Sequence, residues 1–222
     1  MASCFFMKEL TFYFDFLSPF SYFAWKKLSS LKDTKVIFKP VALGPMLNHW
    51  GIKGPGEVQP KREFLLKQCL RYAVKNNLPF TTPKTHPFNS LYALRLCLKG
   101  VAGEDQFKVI DTLWTAGWQD RIDMGEPEEL LTALRSAGLP ADELYEKSFS
   151  REAKVELKAN IAEAISHGAF GVPSFVVDGE LFWGNDSIEN LELYLRNEDV
   201  LDRKKLKDLL DSTPRAASQS LT

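Results

Sequence analysis

Cysteine is scarce in this chain: Cys4, Cys69 and Cys97 are the only three in 222 residues. No two stand at C-x-x-C spacing and their number is odd, which excludes a disulfide-stapled scaffold and a cysteine-rich zinc site. That usage fits a reducing compartment, and Met1 to Lys8 lack the basic start and apolar core of a secretory leader, so a cytoplasmic protein is expected. Charge of one sign is also lacking, since 28 Lys and Arg face 29 Asp and Glu for a net charge of −1. Neither nucleic acid nor an anionic membrane surface is therefore expected as a partner. No apolar run approaches the ~18 residues that a membrane span needs. With three histidines and no clustering of ligand-type residues, no metal site is expected. What remains is an ordinary globular composition, 45% apolar and 12% aromatic, on a chain longer than the mode of about 100–150 residues for one domain.

Leu10 to Phe16 alternates aromatic or β-branched residues with polar ones, which predicts a strand with Phe12 and Phe14 on one face. Ser18-Pro19-Phe20-Ser21 follows, a capping hydroxyl and then proline at the first helical position, leading into a helix that ends near Leu31. Val36 to Val41 reads as a second strand, and strand–helix–strand in so short a span predicts a parallel βαβ unit. From Gly44 to His167 the pattern becomes helical. Leu66, Cys69, Leu70, Ala73 and Val74 recur at helical spacing; Leu91, Leu94 and Leu98 precede Gly100; Leu130, Leu131 and Leu134 precede Gly138; Ile161 and Ile165 precede Gly168. Strands resume with Val172 to Val177, an Asp178-Gly179 hairpin turn and Glu180 to Trp183. Asp186, with Glu189 three residues on, predicts a capping box for a helix that turns Ile188, Leu191 and Leu195 inward. Leu201, Leu206, Leu209 and Leu210 fit one more helix, and the tail after about 212 is expected to fray.

This order predicts an α/β fold: a thioredoxin-like βαβ…ββα domain over 1–43 and 168–222, carrying a large all-helical insertion over 44–167. Thioredoxin-like redox proteins place C-x-x-C between the first strand and helix, where this chain has Ser18 and Ser21. Dithiol exchange is thereby excluded at the loop. A helix N-terminus still favours an anion, and the Ser18 hydroxyl is suited to hydrogen-bond the sulfur of a bound thiol and stabilise its ionised form. The other reading of Ser18, a plain helix cap, stands beside it. Pro173 immediately before a central strand is costly unless it has a task. In a thioredoxin arrangement a cis-proline there faces the helix loop, and Val172 offers its backbone to a peptide-like ligand.

Three stretches carry a resemblance: Asp15 to Tyr22 (DFLSPFSY), His86 to Leu91 (HPFNSL), and Gly168 to Phe175 (GAFGVPSF) continuing through Phe182 to Asp186 (FWGND). Together they closely resemble the 2-hydroxychromene-2-carboxylate isomerase family over roughly residues 8 to 196. Kappa-class glutathione transferases share the plan. The resemblance implies bound glutathione as cofactor, a small aromatic substrate, and a homodimer. It matches Ser18 to the serine facing the glutathione sulfur, Val172 to the residue whose backbone pairs with the cysteinyl part, Pro173 to the cis-proline, and Asp186 to an acidic residue near the γ-glutamyl end. Asn185 stands where kappa-class enzymes carry serine, at a helix N-terminus suited to a carboxylate. Asn48, Lys53, Lys61 and Asn89 are the substrate-side candidates, in a chain whose Asn48–Lys53 loop departs from the family pattern. Three functions stand open: a glutathione-dependent isomerase acting on aromatic-degradation intermediates, a kappa-like transferase conjugating an electrophile, and a non-catalytic thioredoxin-like peptide-binding module. His49 and His86 are read as loop residues without a catalytic assignment, His167 as a helix C-terminal cation, and Cys69 and Cys97 as small core residues.

Overall fold

The computed structural model describes residues 7–213 except 29, 30 and 32; Cys4 and the tail beyond 213 lie outside the described residues. Its sheet has the order β2-β1-β3-β4, built from β1 (Lys8–Phe14), β2 (Thr34–Pro40), β3 (Ser174–Val177) and β4 (Glu180–Trp183). β1 and β2 run parallel with Phe12 opposite Phe38, joined by α1 (Pro19–Lys27). β3 is antiparallel to β1, placing Phe175 opposite Phe12, and β4 is antiparallel to β3. Asp178 and Gly179, at φ of 52° and 81°, make the two-residue turn between them, as the primed hairpin geometry requires.

Between β2 and β3 every regular element is helical: α2 (Leu43–Trp50), α3 (Gln59–Lys75), α4 (Leu91–Leu96), α5 (Lys99–Ala102), α6 (Gln106–Trp118), α7 (Pro127–Ser136), α8 (Ala141–Ser148) and α9 (Arg151–Ser166), with two short 3-10 turns. After the sheet come α10 (Ile188–Leu195) and α11 (Arg203–Ser212). Elements cover both faces at the centre of the sheet, which is why the consecutive residues Phe12, Tyr13 and Phe14 of β1 are all buried. Leu10, Phe12 and Phe14 point into the larger core with Tyr22, Phe23, Trp114 and Leu191. Tyr13 and Val176 point the other way, onto Met46 of α2 and Ala164 of α9. α2 and α9 both fall within 44–167, yet they pack on the sheet directly: Asn160 Nδ2 donates to Pro40 O at 3.2 Å and Tyr13 OH to Glu163 Oε1 at 2.8 Å.

Four sequence expectations need correction. Asp186 does not cap the helix after β4. A turn starting at Gly184 (φ 90°) occupies residues 184–187, with Ser187 Oγ donating to Gly184 O at 2.8 Å, so the helix begins at Ile188 and no side chain caps it. Gly100 does not end a helix but lies inside α5, and the Glu156 carboxylate accepts its N–H. On α3 the buried stripe is narrower than the apolar spacing predicts: Cys69 and Ala73 are buried, whereas Leu70 and Val74 are 57% and 82% exposed. Finally, Asn48 and His49 belong to a helix, not a loop. α2 carries the chain through Trp50, where Gly51 at φ 65° ends it because a left-handed residue cannot continue a right-handed helix.

Candidate active site

β1 delivers the chain to the loop at residues 15–18, and α1 starts from it. Ser18 is the N-cap of α1, with Pro19 next and its hydroxyl accepting the Ser21 N–H at 3.2 Å. The same hydroxyl donates to Val172 O at 3.2 Å, so capping and facing the proline loop are one arrangement. Ser18 is 7% exposed and Val172 8% exposed. The Val172-Pro173 bond is cis, and Pro173 O accepts the Gly184 N–H at 2.9 Å, which ties the turn carrying Asn185 and Asp186 to the proline loop. Five sequence-predicted residues, Ser18, Val172, Pro173, Asn185 and Asp186, thus lie on three segments joined by two hydrogen bonds.

These residues fit a peptide-like anionic ligand. The Val172 N–H has no partner among the described residues. Asn185, 6% exposed, stands in the turn that Pro173 O holds against the proline loop. A backbone N–H left without a protein partner beside a cis-proline is a donor that a peptide-like ligand can use. α1 adds the positive end of its dipole beside Ser18. Aromatic side chains ring the proline loop: Trp50 Nε1 donates to Ala169 O at 2.9 Å, and Phe170 lies 4.9 Å from Trp183 between ring centres.

The substrate-side candidates are more scattered. Asn48, Lys53, Lys61 and Asn89 are all exposed. Asn89 Oδ1 accepts the Leu91 N–H at 3.2 Å, a local turn that starts α4. Lys61 borders a groove of about 450 Å³ lined also by Phe20, Pro60, Phe64 and Leu65. Since Phe20 lies in the first turn of α1, this apolar groove opens beside the Ser18 loop. Cys69 and Cys97 are fully buried; burial pushes the Cys69 thiol up to about 12 and the Cys97 thiol well up, so both are inert core residues. Among the described residues no group of three His, Cys, Asp or Glu is placed to hold a metal ion.

Two residues near the loop were given no role by sequence reading. Asp15, fully buried, takes the Leu17 N–H on Oδ1 at 3.1 Å and the Leu43 N–H on Oδ2 at 2.8 Å. His86 Nε2 lies 2.9 Å from Leu17 O. The signal for Asp15 was present: an acid inside the run Phe12-Tyr13-Phe14-Asp15-Phe16 has no reason to be there unless it is buried and hydrogen-bonded. Burial lifts the Asp15 carboxyl from 3.8 to about 6, against the opposing hydrogen bonds from Leu43, Leu17 and Ser90. The folded state therefore holds this proton more tightly than the unfolded chain, so the Asp15 contribution to stability is greatest at acid pH and is lost as pH rises through about 6. The displacement corresponds to about 3 kcal/mol. Urea unfolding of wild type and Asp15→Asn is expected to show their stability difference moving toward the variant by about 2 kcal/mol from pH ~4 to pH ~7; a difference independent of pH would contradict the assignment.

Comparison with known proteins gives one family and consistent relatives. The DSBA-like thioredoxin domain family matches residues 9–196. 2-Hydroxychromene-2-carboxylate isomerase of Sphingobium xenophagum is 32% identical over 193 residues, 85% of this chain and 98% of that protein. Glutathione S-transferase kappa 1 of Rattus norvegicus is 28% identical over 206 residues, 85% of this chain and 91% of that protein. A solved structure of a 2-hydroxychromene-2-carboxylate isomerase superposes with a TM-score of 0.77 at 23% identity, covering 93% of this chain and all of the other, a likeness of fold.

Proposed function

The chain belongs to the 2-hydroxychromene-2-carboxylate isomerase family of DSBA-like thioredoxin domains, and from that premise we propose that it is a glutathione-dependent isomerase. Its substrates on this reading are 2-hydroxychromene-2-carboxylate-like intermediates of aromatic degradation. The observation that carries the proposal is the Ser18 hydroxyl, buried at the N-terminus of α1 and directed at Val172 O, with no thiol in the loop. Bound glutathione would supply a thiolate for reversible addition to a conjugated carbon of the substrate, and it would leave unchanged at the end of the isomerisation.

The residues of the chain have distinct tasks in this reading. Ser18 turns its proton from Val172 O toward the sulfur and stabilises negative charge there, aided by the helix dipole. Val172 then has both its N–H and its C=O free for the cysteinyl backbone, with Pro173 holding that edge open. Asn185 receives the γ-glutamyl carboxylate and Asp186 the ammonium beside it. Lys61, at the rim of the groove beside Phe20, meets the substrate carboxylate, and the groove seats the aromatic ring. A reducing, cytoplasmic setting belongs to the same reading, supported by the unpaired Cys69 and Cys97.

Asn185→Ala is expected to weaken glutathione binding about tenfold, since one hydrogen bond to a charged group is lost; equilibrium dialysis measures it, and an unchanged dissociation constant would remove Asn185 from the site. The choice of reaction is made by mass spectrometry of products from a chromene carboxylate with glutathione. An unchanged product mass supports isomerisation. A product heavier by glutathione supports the second reading, a transferase, which the identity to the kappa-class enzyme favours. No turnover in either form, together with peptide binding, would favour the non-catalytic module.

A further inference from the structure

We propose that Asp15 and His86 are positioning residues for the Ser18 hydroxyl: they grip the N–H and the C=O of Leu17 and so fix the backbone from which Ser18 projects. Residues 15–18 belong to neither β1 nor α1; Ser18 O already joins the first turn of α1 through the Ser21 and Tyr22 N–H groups, but Leu17 takes part in no ladder. Three hydrogen bonds fix the backbone on either side of the Ser18 N–H instead. Asp15 Oδ1 accepts the Leu17 N–H, His86 Nε2 lies 2.9 Å from Leu17 O, and the Ser18 N–H reaches Asp15 O at 3.0 Å. With both polar groups of Leu17 tied, the peptide that sets the direction of the Ser18 side chain has one orientation.

Each grip is anchored elsewhere in the fold. The second Asp15 oxygen takes the Leu43 N–H at the start of α2, and the buried Ser90 side chain, at the start of α4, bonds the same carboxylate. Replacing water around a carboxylate with fixed donors from three segments is expensive as a mere structural device, because burying an ion costs more than packing an apolar residue in its place. On the other side, His86 is held by Trp118 at 5.7 Å and Phe88 at 6.1 Å between ring centres, while Arg62 Nη2 donates to His86 O at 3.3 Å. Burial, opposed by the bond to Leu17 and reinforced by Arg62, holds its imidazole below the usual range. The neutral ring can serve Leu17 O only as the tautomer with its proton on Nε2. Trp118 Nε1 donates to Phe16 O at 3.0 Å, so the carbonyl one residue upstream is pinned as well.

The catalytic consequence rests on the glutathione reading above; the clamp itself does not. The test compares wild type with His86→Phe, which keeps a packed ring and loses the donor, with His86→Gln, which restores a donor, and with Asp15→Asn. Ultraviolet difference titration reads the ionisation of bound glutathione, and amide hydrogen exchange reads the Ser18 N–H. In His86→Phe the apparent thiol pKa is expected to rise by about one unit and turnover at pH 7 to fall about threefold, with the glutathione dissociation constant within about threefold. Ser18 exchange is expected to quicken at least about tenfold, and His86→Gln to recover most of each change. Should Asp15→Asn fail to fold, the His86 pair decides alone. Thiol ionisation, turnover and Ser18 exchange all within about twofold of wild type in a folded His86→Phe would overturn the proposal. A wild type that forms no thiolate sinks the glutathione reading separately; Ser18 exchange then still decides, faster exchange supporting the clamp and unchanged exchange overturning it.

Discussion

Ser18→Ala is expected to lower turnover at pH 7 about tenfold, the dipole of α1 being retained, and to regain most of it as pH is raised toward about 9.5. The argument is one of thiol ionisation. A thiol with the ordinary pKa of about 8.5 is only about 3% ionised at pH 7, whereas one lowered by about two units is about three-quarters ionised. That lowering takes roughly 2.7 kcal/mol, within reach of one charge-assisted hydrogen bond together with a helix dipole. Ser18 supplies the bond from a buried position, and α1 supplies the dipole. Alanine removes the first and leaves the second. At high pH the thiol ionises without help, which is why the variant recovers and wild type gains little. The fold survives, because the lost cap on the Ser21 N–H costs about 1 kcal/mol. Initial rates measured from pH 7 upward check this; a loss equal at all pH values would mean that Ser18 serves geometry or binding and not ionisation.

The second large effect is on stability. Trp114→Ala is expected to destabilise the protein by about 3–5 kcal/mol, the range for removing a buried aromatic side chain. Trp114 is fully buried on α6, with ring centres 4.4 Å from Phe16, 5.9 Å from Phe14 and 6.2 Å from Tyr22. It therefore touches the end of β1, the loop after it and α1 at once, and no neighbouring side chain can swing in to fill the space without leaving its own place in the core. Its Nε1 has no hydrogen-bond partner among the described residues, so the loss is one of packing, with no polar group released to offset or enlarge it. Urea denaturation measures the change, and a shift under about 1 kcal/mol would mean that the cluster relaxes around the cavity.

The elements that read well in the sequence are those whose signal is local. Phe12 and Phe14 alternate with their neighbours, Asp178-Gly179 demands left-handed backbone, and Ser18-Pro19 writes a helix start; each is present in the fold. The expectations that failed depended on what a residue meets from far away. Gly100 resembles a helix stop in the sequence, but it lies inside α5, where its N–H meets the Glu156 carboxylate 56 residues on. Leu70 and Val74 have helical spacing like that of Cys69 and Ala73, but only the latter pair faces the body of the protein. Asp186 has the chemistry of a cap, yet Gly184 begins a turn that shifts the helix past it. The site divides in the same way. Ser18 and Val172-Pro173 are legible because hydroxyl, helix start and pre-strand proline are local features, and a single hydrogen bond joins them. Asp15 and His86 were not legible as partners, since 71 positions separate them and only folding brings Leu17 between the two.

The central claim is that the Ser18 loop binds glutathione and ionises its thiol. Titrating the protein with glutathione at pH 7 while recording the ultraviolet difference spectrum tests it most directly. The account predicts a saturable thiolate band that grows with bound glutathione and is largely lost in Ser18→Ala. Glutathione that binds without that band, or that does not bind at millimolar concentration, would contradict it.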